Sequence, residues 1–219
     1  MATTWTNEMP SSAGFWSKAA RKYAASPIRN QEAYEKTLER TTEHLGPQDS
    51  VLELGCGTGS TAIELARNAA QITATDLSEE MLKVGRERAW NAAVSNVDFQ
   101  CCGVLSAPEG PYDAVMAFNL LHLLPDLEAV LALVAAKLPR GGLFISKTPC
   151  LGEARGSWKY WMYTVAIPLM RLAGKAPSHV DFLDIRKLEA AVQRAGFEII
   201  ETGNYPADTP GRYLVARRR

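Results

Sequence analysis

The chain carries no surplus of charge of either sign, and that lack removes one large class of partners. Lysine and arginine number 24, and aspartate and glutamate also number 24. A nucleic-acid binder ordinarily shows a basic surplus or stripe, so nothing in the charge balance favours nucleic acid. Cysteine is scarce. Cys56, Cys101, Cys102 and Cys150 show no C-x-x-C spacing, which argues against a zinc site and for reduced thiols in a cytoplasmic protein. No metal is expected. No apolar run reaches the ~20 residues that a membrane span needs, and the longest, around 161–170, is interrupted by Thr164 and Pro168. The first fourteen residues are polar and lack the apolar centre of a secretory leader. There is no internal repeat and no low-complexity linker, and hydrophobic residues make up 47% of 219. One α/β domain with a sizeable core is therefore expected.

What is present is organised around Val51-Leu52-Glu53-Leu54-Gly55-Cys56-Gly57-Thr58-Gly59. An apolar run carrying an acid leads into three alternate glycines, and a helical pattern (Ala62, Ile63, Leu65, Ala66) follows. This reads as a buried strand, a tight turn and a helix start. Glycines there permit backbone angles that a Cβ forbids and let a ligand touch the main chain. The helix start offers unpaired N–H groups to an anionic group. The spacing is not the dinucleotide fingerprint G-x-G-x-x-G, because Ser60 stands at the sixth position. The next apolar run, Ile72-Thr73-Ala74-Thr75, closes on Asp76. An acid at the end of the second strand of a βαβ unit is placed to accept hydrogen bonds from a ribose diol.

Glu53, G-x-G-x-G and Asp76 together resemble the class I S-adenosylmethionine-dependent methyltransferases. The resemblance continues in Tyr112-Asp113-Ala114-Val115, in Asn119-Leu120-Leu121-His122-Leu123-Leu124-Pro125-Asp126 and in Leu138-Pro139-Arg140-Gly141-Gly142. It covers roughly Trp16 to the C-terminus and is nearest the bacterial small-molecule and lipid-quinone branch. It implies a Rossmann-like, doubly wound α/β sheet of seven strands, mostly parallel with an antiparallel last strand. Residues 1–46 would form an N-terminal extension and cap helices, and 47–219 the cofactor-binding core with a substrate-lid insert at about 152–180. The implied cofactor is S-adenosylmethionine, with S-adenosylhomocysteine as product, and the implied partner is a small-molecule acceptor. A monomer and a homodimer both remain open.

Along the chain, 1–12 reads as loosely attached, and Phe15, Trp16, Ala19, Ala20 and Tyr23 recur at helical spacing up to Ser26-Pro27. Asn30 is an expected N-cap for a helix whose packed face would hold Tyr34, Leu38, Thr41 and Leu45, ending at Gly46-Pro47. Strands are expected at 50–54, 71–75, 97–102, 113–118 and 143–148, with two more at 197–202 and 213–217. Ser78, Asp126 and Asp184 are expected helix caps. His44 and the terminal Arg217-Arg218-Arg219 read as solvated.

The resemblance implies roles residue by residue. Glu53 orders the turn or the amino end of the methionine, backbone at Gly55, Cys56 and Gly57 holds the methionine, and Asp76 takes the ribose hydroxyls. Leu77 and Val104 sandwich the adenine, Met81 and Leu82 wall it unless they simply pack the core, and Asn119 offers polar contacts. A tyrosine matching Tyr23 lies near the methionine carboxylate in that family, whereas plain packing is the other reading for Tyr23 and for Trp16. The chain departs from the pattern at Cys102, or conceivably Cys101, where family members place an acid against the adenine amino group. A thiol accepts poorly, which leaves backbone at Gly103 and Val104 to read the base, and both cysteines read as buried and inert.

The sulfonium is already activated, so alignment of the acceptor and exclusion of water are the main tasks. Should the acceptor need a base, His122 is the candidate by position, with helix capping as its alternative, and His179 is a candidate for acceptor binding. The crowd of Trp158, Tyr160, Trp161, Met162 and Tyr163 reads as an aromatic lid over an apolar acceptor. Packing on the domain surface and weak membrane-surface attachment through 157–175 are its alternatives. A nicotinamide dehydrogenase fits the glycine spacing and Glu53 poorly. Aminopropyl transfer lacks its pair of acids after strand four. A non-catalytic scaffold conflicts with the intact Glu53, glycines and Asp76.

Overall fold

The computed structural model describes residues 5–207 and 210–219. Seven strands form one sheet: β1 (Ser50–Leu54), β2 (Gln71–Asp76), β3 (Val97–Cys101), β4 (Ala114–Phe118), β5 (Leu143–Pro149), β6 (Phe197–Asn204) and β7 (Gly211–Arg218). Their order is β3-β2-β1-β4-β5-β7-β6. β1 to β5 pair in parallel, and β7 runs antiparallel to both β5 and β6. The doubly wound sheet with its antiparallel closing strand is therefore as expected. The helices are α1 (Trp5–Ala25), α2 (Gln31–Thr42), α3 (Ser60–Leu65), α4 (Glu79–Asn91), α5 (Leu127–Lys137), α6 (Trp158–Leu172) and α7 (Ile185–Arg194).

Alternation along the strands builds two cores. Leu52, Leu54, Val115, Phe144 and Leu214 face one side, where Val130, Leu131 and Val134 of α5 and Leu188 and Val192 of α7 cover them. Val51, Ile72, Ala74, Met116, Ile145 and Tyr213 face the other, under Leu65 of α3 and Leu82 of α4. β4, flanked by strands and buried on both faces, carries the continuous apolar run that such a position requires. The expected caps form: Ser78 accepts from the Met81 amide, Asp126 from Ala129 and Asp184 from Lys187.

Several expectations are corrected. Residues 1–4 of the expected loose start lie outside the described residues, but from Trp5 the chain is helix. α1 lies against α4, with Ser17 Oγ 2.9 Å from Ser78 Oγ. α2 buries Ala33, Thr37 and Thr41, and it stops at Thr42, leaving Leu45 in the following turn. Leu38 and Leu45 of the expected face are partly buried against the core, as anticipated. His44 is not solvated: its Nε2 lies 2.6 Å from Glu201, which also takes a bidentate pair from Arg40 at 2.7 and 2.8 Å. That guanidinium is the main reason the Glu201 carboxyl is pushed down to about 2. Of the three terminal arginines, Arg217 and Arg218 belong to β7; Arg217 and Arg219 are exposed as expected, whereas Arg218 donates to the Leu138 carbonyl.

Phe144 is fully buried with its ring centroid 5.8 Å from that of Phe197, joining β5 to β6 across the intervening β7. Phe144→Ala is expected to lower stability by about 3–5 kcal/mol, read as a shift of the urea midpoint at unchanged slope.

Candidate active site

The strand order reverses at β1, which has β2 on one side and β4 on the other. Chain connections leave the sheet in opposite directions there, so a crevice opens beyond the carboxyl ends of these strands. It is a cleft of about 1130 Å³, above the ~300–1,000 Å³ of an ordinary ligand pocket and so roomy enough for two ligands together.

The turn after β1 forms the cleft floor. Gly55 has φ +65°, and a Cβ there would stand 2.7 Å from Leu120 Cδ1. Gly57 has φ +56° with nothing within 4 Å of a Cβ position. Both positions need glycine for the backbone, and Gly57 also leaves the space above it open to a ligand. The turn is tied to β2 from below: the Cys56 amide donates to the Thr75 carbonyl at 2.9 Å, and Thr75 Oγ1 donates to the Glu53 carbonyl at 3.1 Å. Asp76 completes the tie. Its Oδ2 accepts from the Gly57 amide at 3.0 Å and its Oδ1 from the Ser78 amide at 2.9 Å. Each oxygen keeps a further lone pair for a ligand hydroxyl.

Glu53 is 2% exposed and its Oε2 has no partner. Burial, and secondarily the nearby Asp76, push its carboxyl up to about 8. Burial likewise raises Asp76, against the Ser78, Gly57 and Leu77 amides that favour its charge. A buried carboxyl with an orphaned oxygen, lining a cleft beside open glycine backbone, fits the donor-rich end of a ligand.

Of the residues expected around the cofactor, all line this cleft: Tyr23, Glu53, Gly55, Cys56, Gly57, Asp76, Leu77, Met81, Cys102, Gly103, Val104 and Asn119. Trp16 lines it as well, whereas Leu82 belongs to the core. Cys102 is half-buried at the rim and Cys101 is exposed, so the reading of both as buried thiols is corrected; alternation along β3 sends them to opposite faces.

The acceptor-side expectations fare differently. His122 does not line the cleft. It sits in the 3-10 turn Leu121–Leu123, where Leu120, Leu123 and Leu124 take the cleft side. Its Nδ1 is buried without a partner, and burial, with His179 beside it, pushes the ring down to about 4. His179 is likewise outside the cleft, with a buried unpartnered Nε2, although Pro177 and Ser178 before it reach the wall. Trp158, Trp161 and Met162 do not form a lid. They point outward from α6, 71%, 68% and 43% exposed, and among the described residues the insert meets the cleft through its flanks, at Leu151, Ala154, Pro177 and Ser178. The cause lies in helix phase: Tyr160 turns inward onto Phe182, at 5.4 Å between ring centroids, which sends residues 158, 161 and 162 the other way.

Sequence reasoning missed Tyr34, Lys147 and the β6–β7 connection (Tyr205, Pro206, Pro210), all of which line the cleft, Tyr34 on the side of Glu53. Lys147 carried a signal, a lone charge inside the apolar strand Leu143–Pro149.

Residues 23–202 match the sequence profile of the methyltransferase-domain family. The chain belongs to the class I S-adenosylmethionine-dependent methyltransferases. This methyltransferase is 31% identical over 190 residues to a ubiquinone biosynthesis O-methyltransferase of Xanthomonas axonopodis pv. citri, covering 81% of the chain and 71% of that relative. In fold it matches the DhpI–SAH complex with a TM-score of 0.74 at 21% identity, over 98% of both chains. The geranyl diphosphate C-methyltransferase of Streptomyces coelicolor A3(2) matches with a TM-score of 0.72 at 15% identity, over 99% of this chain and 100% of that one. The activity class and the cofactor, S-adenosylmethionine, follow from family membership.

Because the folded Glu53 carboxyl titrates near 8 and a free glutamate near 4.5, the folded methyltransferase holds one more proton than the unfolded chain between those values. Stability of the ligand-free protein contributed by this group is full below pH 4.5 and lost as the pH rises through 8. Thermal melts from pH 5 to 8 should show a declining midpoint, and Glu53→Gln should flatten that decline. An unchanged slope in the variant would remove Glu53 as its source.

Proposed function

We propose that this methyltransferase carries a methyl group to an apolar small-molecule acceptor held in the same cleft as the cofactor, with the twelve cleft residues above as the cofactor's contacts. The observation that carries the reading is the meeting of an orphaned buried Glu53 oxygen, bare Gly57 backbone and the Asp76 carboxylate on one wall of a cleft large enough for two ligands. When bound, S-adenosylmethionine supplies an electrophilic methyl group on a sulfonium. The protein's share is placement. Glu53 offers its free oxygen to an ammonium or hydroxyl donor, and Asp76 offers lone pairs to a diol. Leu77, Met81 and Val104 give apolar walls to a flat base, with Cys102 too poor an acceptor to replace an acid there. Trp16 and Tyr23 of α1 and Asn30, Ala33 and Tyr34 of α2 and its cap close the cleft from above, so the N-terminal helices serve as its cover and keep water from the reacting centre. Burial pushes the Tyr34 phenol up to about 12, so it remains a neutral hydroxyl. Holding two reactants in line can supply ~7–11 kcal/mol of barrier reduction, so this arrangement needs no triad.

An apolar acceptor is supported by the apolar residues among the cleft lining that the cofactor's contacts leave over, including Phe118, Leu123, Leu124 and Leu151, and by a relative named for ubiquinone biosynthesis. Four unpaired cysteines suit a reducing, cytoplasmic setting. A lipid-like acceptor also gives the outer face of α6 a use. Trp158, Trp161, Val165, Leu169 and Leu172 are all exposed and share one helical face, with Arg171 and Lys175 at its C-terminal end. No helix among the described residues is long and apolar enough to cross a membrane, so contact would be at the surface.

Calorimetric titration with S-adenosylmethionine tests the site: Asp76→Ala should weaken affinity by about ten- to a hundredfold, the loss of hydrogen bonds to a charged acceptor. Equal affinities would remove Asp76 from it. For α6, the protein should co-sediment with phosphatidylglycerol vesicles, and Trp158→Ser combined with Trp161→Ser should abolish this. A wild-type protein left in the supernatant would end the membrane reading.

A further inference from the structure

We propose that Lys147 is the acceptor-binding residue of this methyltransferase, and that the acceptor it selects carries an anionic oxygen on its apolar body. The inference rests on the two-ligand cleft proposed above and adds the chemical class of the second ligand.

The argument starts from charge. Among the described cleft-lining residues the acids are Glu53 and Asp76 alone, both by the glycine turn. The cations are Arg29, Arg88 and Lys147. Arg88 is engaged, its guanidinium donating to Thr58 Oγ1, Ser60 Oγ and the Ala24 carbonyl at 2.7–2.9 Å. Arg29 belongs to the exposed connection before α2. Lys147 is different. It rises from β5, an interior strand, and is half-buried. Its ammonium donates to Thr37 Oγ1 at 3.0 Å and to the Ala33 carbonyl at 3.3 Å. Both partners are neutral, and Lys147 forms no ion pair among the described residues. An ammonium has three donors, so one remains beyond these two. Burial lowers its affinity for a proton with no carboxylate near enough to offset it. A half-buried cation without a counter-ion is costly unless something pairs with it, and the open side of this one is the cleft.

Position separates it from the cofactor's end. β5 lies three strands from β2 and two from β1. At ~4.8 Å per strand, Lys147 stands roughly 14 Å across the sheet from the Asp76 strand and roughly 10 Å from the Glu53 strand. In register it pairs with Phe118, two residues nearer the carboxyl edge than Met116, the partner of Glu53. Phe118 pairs with it and the Asn119 amide donates to its carbonyl, and both line the cleft with Pro149 and Tyr205. An apolar acceptor lying there, with its anionic oxygen on the ammonium, would have its body along the aromatic and aliphatic wall. The Thr37 and Ala33 oxygens fix the lysine from α2, and Arg40 and its bidentate pair with Glu201 fix α2 to β6, so the cation is held in place before any ligand arrives.

The test measures binding to the protein saturated with S-adenosylhomocysteine, using two matched probe pairs: 2-naphthoate with 2-naphthamide, and 4-nitrophenolate with 4-nitroanisole. The pairs read a carboxylate and a phenolate separately. In the wild type at least one anion should bind about tenfold or more tighter than its neutral partner, as hydrogen bonds to charged groups permit. Lys147→Met and Lys147→Gln should bring that ratio to about one while S-adenosylhomocysteine and the neutral probes bind as before, and Lys147→Arg should keep a preference for the anion; a charge contact would give this pattern and a packing role would not. The inference is overturned if both wild-type ratios are near one, or if the preference survives in the methionine and glutamine variants. Failure of the wild type to bind S-adenosylhomocysteine at all would instead overturn the two-ligand reading, and this inference would fall with it.

Discussion

The carboxylate of Asp76 holds the structure's functional end together. Its two oxygens clamp the amide of Gly57, in the turn after β1, and the amide of Ser78, at the start of α4. One side chain thereby positions the bare backbone of the glycine turn, the end of β2 and the cap of α4. α4 in turn lies under α1 and sends Arg88 back to the Ala24 carbonyl. Without this clamp the turn would have to find other partners for its amides, and the cover of the cleft would lose its footing. The arrangement is possible because Gly55 and Gly57 take positive φ, which no β-branched or bulky residue adopts cheaply.

Burial sets the electrostatics of the two halves in opposite senses. By the turn, two carboxyls share a poorly hydrated wall, so each is held toward its neutral form until a donor arrives. Across the sheet a lysine is held with only neutral oxygens for company. A ligand pair with donors at one end and an anion at the other would relieve both. Methyl transfer from an activated sulfonium asks mainly for shape and a few polar points of contact rather than for a set of proton-transfer groups.

The outer surface of α6 follows a different logic. Tyr160 anchors the helix against Phe182, and the phase this imposes leaves a row of large apolar side chains facing out. Such rows are uncommon on freely soluble monomers. A methyltransferase whose acceptor is lipid-like would meet that acceptor at a membrane surface, and a helix of this character beside the cleft would serve there.

Much of the fold was legible in the chain itself. The runs that became β1, β2, β4 and β5 are apolar and short, the helix caps Ser78, Asp126 and Asp184 are local hydrogen-bonding devices, and Glu53, the glycines and Asp76 meet on one wall of the cleft because each acts through its own backbone or its immediate neighbours. Local chemistry is written locally. The acceptor side was not legible, for it depends on which way a helix faces and on which distant segments meet. His122 and the tryptophans of α6 were chosen by chemical type and place in the sequence, yet one turn of 3-10 helix and the packing of Tyr160 direct them away from the cleft. Lys147 and Tyr34 reach it only because α2 is pinned above β5 by residues more than a hundred positions later. The sequence by itself determined the class of protein and the glycine turn with its two acids; the tertiary structure alone decided which other side chains face the cleft, because side-chain direction is settled by packing between segments and not by the segments themselves.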